Sequence, residues 1–403
     1  MNKVLKIFLL ITSLLTGCNQ SSDQLAPTLT SISIGKTATP ISLPTTVLTL
    51  TPLPALSPTL INPVERHCPN FMGEVSMETV SQGTTFLYNF ETKIITLRDL
   101  QSGQEYPLPT EQTTPILSRI EISPDRKYDA YTTHNQALSR TIIWVINAKG
   151  DVLVRQAVDE YLFNLEWLDD EHLLFDTKDT NEQAKVVVFN LRTSEFTTVA
   201  HELPGLFTQR DIGLYWRVSY SPDLQKVLYV GMPRENAGMR PIYYDLVSQK
   251  ILWESPHIEG FGMPLWSPDG RYFALEVDWD LYIISADGQV VDILEKSQFG
   301  YFNNWSYTWS PNGEYIGFRS SQQSGQDPTA TLMVYDLKSK RATDYCLEGY
   351  SSSPPGWSPD SKQIVVESVE NGIILLDLPT AQSFKLVDIP NVSYPGEWMY
   401  SIP

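Results

Sequence analysis

The chain has 403 residues, of which 42% are hydrophobic and 11% aromatic, so it is long enough to bury a large core. It carries 29 basic and 47 acidic residues, a formal net charge of −18. An acidic surface repels nucleic-acid phosphates, and no basic run with interleaved aromatics is present, so the composition argues against a nucleic-acid partner.

The first segment resembles a bacterial lipoprotein signal peptide. Lys3 and Lys6 precede the apolar run "IFLLITSLL", which is too short for a permanent transmembrane helix, and "LTGC" ends at Cys18 as a lipobox. Cleavage after residue 17 makes a lipidated Cys18 the mature N-terminus, which predicts a chain anchored on the extracytoplasmic side of a bacterial membrane. Removing residues 1–17 takes away two lysines and no acid, leaving 27 basic against 47 acidic residues, or −20.

Residues 18–66 have the composition of a tether. The text from Asn19 to Val64 is dominated by Thr, Pro, Ser and Leu and has almost no charge. Proline denies donors to a strand ladder and favours extended polyproline conformations. The segment is therefore predicted to be a semi-rigid spacer between the membrane and a folded domain over residues 67–403.

A short motif recurs along that domain. It is clearest in "WSPDGRYFALEV", Trp266 to Val277, and six copies are recognisable, one of them degraded. The fourth position of the motif falls in order at Asp125, Asp170, Asp223, Asp269, Asn312 and Asp360. The intervals are 45, 53, 46, 43 and 48 residues, and periods of this length indicate propeller blades.

Seven second strand signals, each ending in a polar turn, follow the same period, and the first of them, around Asp99, has no upstream motif. The chain ends "YPGEWMYSIP", where Trp398 has the place of the aromatic before Ser-Pro-Asp. A strand at 396–402 that completes the first blade would close the ring and remove exposed sheet edges. The prediction is an all-β, seven-bladed β-propeller, with six blades and a free C-terminus as the alternative.

Turn chemistry explains the motif without catalysis. Proline fixes φ at the second turn position, Asp or Asn favours the third, and Gly relieves strain at the fourth. The preceding aromatic, such as Trp266, fills the wedge between neighbouring blades. Because a catalytic pair has no reason to recur in every blade, Ser267 and Asp269 are interpreted as scaffold.

With these repeats, residues 82–401 resemble the PD40, or WD40-like, propeller repeats of the TolB-like family. The resemblance implies the fold and little about function, because such propellers occur in TolB-type envelope proteins, as gating domains of prolyl oligopeptidase-like peptidases, and in some polysaccharide lyases. Residues 19–81 leave no room for the N-terminal α/β domain of TolB. The peptidases carry a Gly-x-Ser-x-Gly elbow, which this sequence lacks.

Metal and cysteine chemistry have limited support. The histidines show no metal-site spacing, and no metal or other cofactor is predicted. Asp278 and Asp280 lack the rest of an EF-hand loop, and strand alternation explains them as well. Cys68 and Cys346 form one disulfide in an oxidising compartment if their Cα atoms come within about 7 Å; the alternative is two unpaired thiols.

The innermost strands of a propeller line its axial channel, and in this sequence three of them carry an acidic residue. Glu397, Glu121 and Glu166 stand one residue before the aromatic position in blades one, two and three. Two residues further upstream, three before the aromatic position, stand Arg119 in blade two and Arg217 in blade four. These side chains either hold a cation or a basic ligand group at the channel mouth or form a solvated, salt-bridged lining.

Aromatic residues are concentrated in the loops that lead into the inner strands. Because these loops occupy the same place in each repeat, they are expected on one face of the ring, as a recognition rim or partly as interblade filling. The candidate rim residues are Tyr215, Trp216, Phe261, Tyr301, Phe302, Trp305 and Tyr350.

The sequence thus predicts a monomeric, lipid-anchored binding or scaffolding module of the bacterial cell envelope, with a protein, peptide or glycan as its ligand. The alternative from a different class is an envelope polysaccharide- or peptide-degrading enzyme that uses channel carboxylates. A purely structural role in an assembly is the third possibility.

Overall fold

Seven small antiparallel sheets form the blades of a β-propeller in the computed structural model of the chain. The residues that the structure describes are 64–74, 80–89, 94–108, 120–135, 140–158, 162–178, 184–199, 218–221, 223–231, 240–256, 262, 264–321, 329–350, 354–370, 372–387, 392–393 and 398–399. Cys18 lies outside them. The predicted all-β fold with seven blades is confirmed, and the six-blade alternative is wrong.

The strands follow the repeat in chain order. Two short strands come first: β1 (Glu65–Arg66) and β2 (Asn70–Glu74). The strands of blades one to three are β3 (Thr84–Asn89), β4 (Ile94–Asp99), β5 (Glu105–Pro107), β6 (Glu121–Ile122), β7 (Tyr128–Asn135), β8 (Arg140–Asn147), β9 (Val152–Val158), β10 (Phe163–Trp167), β11 (His172–Lys178), β12 (Ala184–Asn190) and β13 (Glu195–Val199).

Blades four and five consist of β14 (Ser219–Tyr220), β15 (Lys226–Gly231), β16 (Arg240–Asp245), β17 (Lys250–Glu254), β18 (Leu265–Trp266), β19 (Tyr272–Val277), β20 (Asp280–Ser285) and β21 (Val290–Leu294). A short helix, α1 (Lys296–Phe299), follows. The remaining strands are β22 (Tyr301–Trp309), β23 (Tyr315–Ser321), β24 (Thr329–Asp336), β25 (Arg341–Tyr350), β26 (Gly356–Trp357), β27 (Gln363–Ser368), β28 (Gly372–Asp377), β29 (Gln382–Val387), β30 (Val392–Ser393) and β31 (Trp398–Met399).

The C-terminal strands complete blade one. β30 and β31 both pair antiparallel with β3, Trp398 opposite Thr85 and Met399 opposite Thr84. Trp398 and Met399 are fully buried. A Cβ on Gly83 would lie 1.7 Å from the Trp398 indole nitrogen, so this position requires glycine. The two chain ends therefore meet in one blade.

A single arginine ties this junction to its neighbours. Arg126 follows the Ser-Pro-Asp copy of blade two, and its Nη1 donates to the carbonyls of Trp357 and Trp398 at 3.1 and 3.0 Å. Trp357 belongs to blade seven and Trp398 to blade one. The guanidinium thus links blades seven and one to blade two.

The N-terminal strands form a strap across two blades. β1 pairs parallel with β25 as a fifth strand of blade six, and β2 pairs parallel with β29 as a fifth strand of blade seven. Between them, Cys68 forms a disulfide with Cys346, with Cα atoms 5.0 Å apart. The strap therefore covers the outer edge of both blades and is covalently fixed to β25.

The Ser-Pro-Asp motif folds as a self-contained turn. In the copy at Trp266, the Ser267 Oγ donates to Asp269 Oδ1 at 2.7 Å and accepts the Tyr272 N–H at 3.0 Å. Gly270 then closes the turn with an N–H bond to the Ser267 carbonyl, at φ +67°. Ser267 is only 2% exposed to solvent. The motif positions hydrogen bonds within the scaffold, as the sequence predicts.

The core lies between adjacent blades. Seven clusters of buried apolar residues are found among the described residues, each spanning a pair of neighbouring sheets. The motif aromatics bridge the same gaps: the Trp167 indole donates to the Glu121 carbonyl at 2.8 Å, and the Trp309 indole to the Leu265 carbonyl at 2.9 Å. Each blade is therefore stabilised mainly by the next one.

Antiparallel pairing gives the ring two distinct ends. The connections between first and second strands, including every Ser-Pro-Asp turn, and those between third and fourth strands lie at one end, the turn face. The connections between second and third strands and between successive blades lie at the other end, the loop face. Among the described residues, no helix has the length and apolar character needed to span a bilayer.

Candidate binding site

A tight turn on the loop face of blade five presents a tryptophan. Strands β19 and β20 pair up to Val277 and Asp280, which leaves only Asp278 and Trp279 to reverse the chain. Their φ angles are +51° and +69°, as in the hairpin turns that favour Asn, Asp and Gly. A bulky side chain at positive φ is uncommon and costs on the order of 1–3 kcal/mol. Trp279 is therefore held in a conformation that the turn itself does not favour.

The connection to blade six places a tyrosine beside this tryptophan. Phe299 of α1 is buried, and Gly300 follows at φ +78°, where a Cβ would lie 2.5 Å from the Ser321 carbonyl oxygen. β22 then begins at Tyr301, which pairs with Ser321. The Trp279 and Tyr301 rings meet edge to face, with centroids 5.9 Å apart and an interplanar angle of 83°. Both side chains are half-buried.

Charged groups surround this aromatic pair. The Lys296 Nζ donates to the Asp278 carbonyl at 2.9 Å and lies 3.3 Å from Asp278 Oδ2, and its backbone N–H donates to Asp280 Oδ1 at 2.7 Å. Burial raises the pKa of Asp280, with a further contribution from the nearby carboxylates of Glu295 and Asp278. We name Asp278, Trp279, Asp280, Lys296 and Tyr301 the loop-face cluster.

The sequence predicts one member of this cluster, Tyr301, as a rim residue and does not assign the other four to the rim. Tyr301 belongs to the predicted rim, but Trp279 does not, because strand alternation also accounts for "VDWDLY". A two-residue gap between apolar alternations, with Asp at its first position, is the signal for a hairpin turn in this text. Asp278 and Asp280, considered for calcium, contact Lys296 instead.

Phe302 is a wrong prediction for the rim. It is fully buried and packs against Phe318, with ring centroids 4.9 Å apart. Successive residues of a strand face opposite sides of the sheet, so Tyr301 and Phe302 cannot both face solvent.

The remaining rim candidates are not tested by side-chain positions. Trp305 lies in β22, where the register with β23 shifts between Phe302 and Tyr307, and Tyr350 ends β25, opposite Thr329. The side chains of Trp305 and Tyr350 lie outside the described part of the chain, as do the whole residues Tyr215, Trp216 and Phe261.

A second candidate site lies on the channel side of blades two to four. Ser219 Oγ donates to Glu166 Oε2 at 3.3 Å, and the backbone N–H of Tyr220 also donates to this carboxyl. Burial, and then the negative charges of Asp176 and Glu121, raise the pKa of Glu166 to about 8. The raised pKa favours the protonated form of the Glu166 carboxyl. We name Glu121, Glu166 and Asp176 the acidic channel group.

Asp176 was missed by sequence reasoning, although strand register locates it. Glu166 pairs with Leu174, so Asp176, two residues further along β11, lies on the same side of the sheet. In blades five, six and seven, the residue at the equivalent place of the second strand is also charged and buried. These residues are Glu276, Arg319 and Glu367. The signal is thus a charged residue six or seven residues after the fourth position of the motif.

The acidic channel group contains two of the five predicted channel residues, Glu121 and Glu166. Arg119, Arg217 and Glu397 lie outside the described residues. Within the described part of the chain, no group of three or more His, Cys, Asp or Glu side chains is arranged to hold a metal ion.

Known protein sequences show limited similarity to this chain. The sequence matches no protein-family profile. A stretch of 161 residues is 26% identical to the uncharacterized protein Atu1656 of Agrobacterium fabrum, covering 38% of this chain and 53% of that protein. The chain thus spans about half the length of the curated relative it matches.

Solved structures agree with the fold. The uncharacterized protein lmo1340 of Listeria monocytogenes aligns with 82% of this chain and 98% of its own, with a TM-score of 0.50 and 11% identity. TolB from Acinetobacter baumannii aligns with 76% of this chain and 79% of its own, with a TM-score of 0.44 and 14% identity. Together with the seven observed sheets, the Listeria structure confirms the propeller fold, and the resemblance to TolB-like propellers is a likeness of fold.

Proposed function

We propose that the chain is a binding module of the bacterial cell envelope that holds its ligand on the loop face. The observation that carries this proposal is the Trp279–Tyr301 pair, half-buried at the end of the ring. Binding energy concentrates in a few aromatic anchors, and strained backbone occurs preferentially at functional sites. The ligand class remains that of the sequence prediction, a protein, peptide or glycan.

The experiment compares capture from envelope extract by the wild-type chain and two variants. Trp279→Asn combined with Tyr301→Ala removes both rings, and Asn is chosen because it tolerates the positive φ of the turn. Val247→Ala is the control, since Val247 is 74% exposed on the turn face. We expect a captured species that wild type and the control retain and the double variant loses, with unchanged circular dichroism. A species that the wild type, the control and the double variant all capture would show that the ligand binds outside the Trp279–Tyr301 pair.

The proposal includes lipid anchoring at Cys18 and an extracytoplasmic position. It is supported by the order of basic residues, apolar run and lipobox at the start of the chain. Cys18→Ala should release the chain from the membrane fraction or leave it unprocessed. Continued lipid labelling and membrane binding of this variant would contradict the anchoring proposal.

The raised pKa of Glu166 favours one alternative, an enzyme acting on an envelope polysaccharide or peptide. A carboxyl that is protonated at neutral pH can act as a general acid, with Glu121 as the second carboxylate. Incubation with cell-wall polymers tests this: turnover that Glu166→Gln abolishes supports the enzyme. The absence of turnover by wild type removes it.

A further inference from the structure

The loop-face cluster combines two ring faces with an excess of negative charge. Trp279 and Tyr301 stand at 83° to each other, so a group beside them can contact the face of one ring and the edge of the other. The faces of Trp and Tyr attract cations, Trp most strongly. This geometry alone accepts many ligands, so the charges around it decide the ligand class.

Three carboxylates and one ammonium group lie on the hairpin turn and the blade connection that carry the pair. Asp278, Asp280 and Glu295 are close enough to raise the pKa of the neighbouring Tyr282, after burial, to about 12. The Lys296 ammonium contacts one of these carboxylates, Asp278, and the three carboxylates and this ammonium sum to a formal local charge of −2. The side chain of Asp278 is 42% exposed and remains accessible from solvent. A cation therefore gains from both the rings and the carboxylates.

Lys296 shows how such a cation would be held. Its ammonium group contacts both the carbonyl and the carboxylate of Asp278, at 2.9 and 3.3 Å. The turn thus presents a set of oxygen acceptors to an N–H cation next to an aromatic pair. A guanidinium, with several donors in one plane, matches such acceptors better than a neutral group does.

From these contacts we infer that the loop-face cluster binds an arginine or lysine side chain of a peptide segment in a partner protein. The inference rests on the proposed function and narrows its ligand class. The chain's net charge of −18 favours the approach of basic partners. A neutral glycan would contact the rings but gain nothing from the carboxylates.

The test uses the full chain in detergent and short synthetic peptides in a Gly-Ser background. One peptide carries arginines and its matched control carries citrulline, which has the same shape without the charge. Calorimetry should give about tenfold tighter binding of the arginine peptide, since one desolvated cation–π contact with a paired charge is worth this much. The affinity should fall at high salt. The indole N–H signal of Trp279 should shift on binding.

Two substitutions at the cluster make opposite predictions. Trp279→Asn should lower the arginine-peptide affinity about tenfold, because the cation–π contact is lost while the turn is kept. Lys296→Met should raise it, because the competing ammonium is removed and the aliphatic stem is preserved. Circular dichroism checks that both variants fold.

Three results would overturn the inference: equal affinity for the arginine and citrulline peptides, weaker binding by Lys296→Met, or binding of a neutral oligosaccharide that Trp279→Asn removes. If arginine peptides fail but extract capture still depends on Trp279 and Tyr301, the ligand class is wrong and the binding face stands. If neither depends on these rings, the proposed function falls as well.

Discussion

The turn face and the loop face differ in how closely the repeat determines their structure. On the turn face, five motif copies contain the same serine-to-Oδ1 hydrogen bond, at 2.5 to 2.7 Å. On the loop face, two features of the described residues do not follow the repeat. The helix α1 lies in one connection between blades, and the Asp278–Trp279 turn lies in one hairpin. Polar groups of the recurring motif bind one another, so the proposed function places its ligand contacts where the repeat is interrupted.

The largest expected loss of stability follows from removing β31, the C-terminal strand that closes the ring at blade one. Deleting residues 397–403 removes β31, and Trp398→Ala alone should cost about 3–5 kcal/mol, the usual range for truncating a buried tryptophan. The deletion should cost more, because Thr84 and Thr85 of β3 also lose their pairing with β31. Urea unfolding measures both. Equal stability of the deletion and wild type would mean that the ring closes without this strand.

The disulfide should have the next largest effect. Cys68 and Cys346 are separated by 278 residues, so their bond restricts a long loop of the unfolded chain. Replacing both with Ser should lower the free energy of unfolding by about 2–4 kcal/mol. Reduction of the wild type by dithiothreitol should give the same loss and leave the double variant unaffected. A wild type insensitive to reduction would contradict the prediction.

Paired serine substitutions compare the two faces directly. Ser267→Ala removes hydrogen bonds to Asp269 and Tyr272 from a buried turn and should cost about 1–3 kcal/mol. Ser297→Ala removes one exposed bond to Glu295, at 3.1 Å, and should stay within about 0.5 kcal/mol. Thermal unfolding measures both. Similar losses would show that the turn face is no more dependent on its motif than the loop face.

The last prediction concerns Glu166, which lies in the inner strand β10 between the two faces. Its effect on stability depends on pH and is small in mildly acidic solution. Its folded pKa of about 8 lies above the ordinary 4.5, so its contribution to stability is fully present below pH 4.5 and is lost as pH rises through 8. Glu166→Gln has no such titration. The two proteins should therefore have similar melting temperatures in acid and diverge as pH rises, with wild type less stable. Parallel curves would mean that folding does not shift the pKa of Glu166.

The sequence predicts the ring because its signals are periodic. Motif spacing gives the blades, and Trp398 in the place of a motif aromatic gives the closing strand. Trp279 escapes the same reasoning, because a tryptophan at positive φ contradicts turn preferences and is selected only by its tertiary neighbours. Phe302 was misplaced for a simpler reason, since composition identifies aromatic loops but alternation decides which ring faces solvent. Asp176 becomes visible only once strand register is known.

The strap also determines how the domain responds to force. For a chain held in a membrane at Cys18, tension enters at Glu65 and acts along β1, which lies parallel to β25. Such a pull shears the short ladder instead of peeling it, and the next connection along the chain is the covalent bond from Cys68 to Cys346. The load is therefore transferred to blade six before it reaches β2.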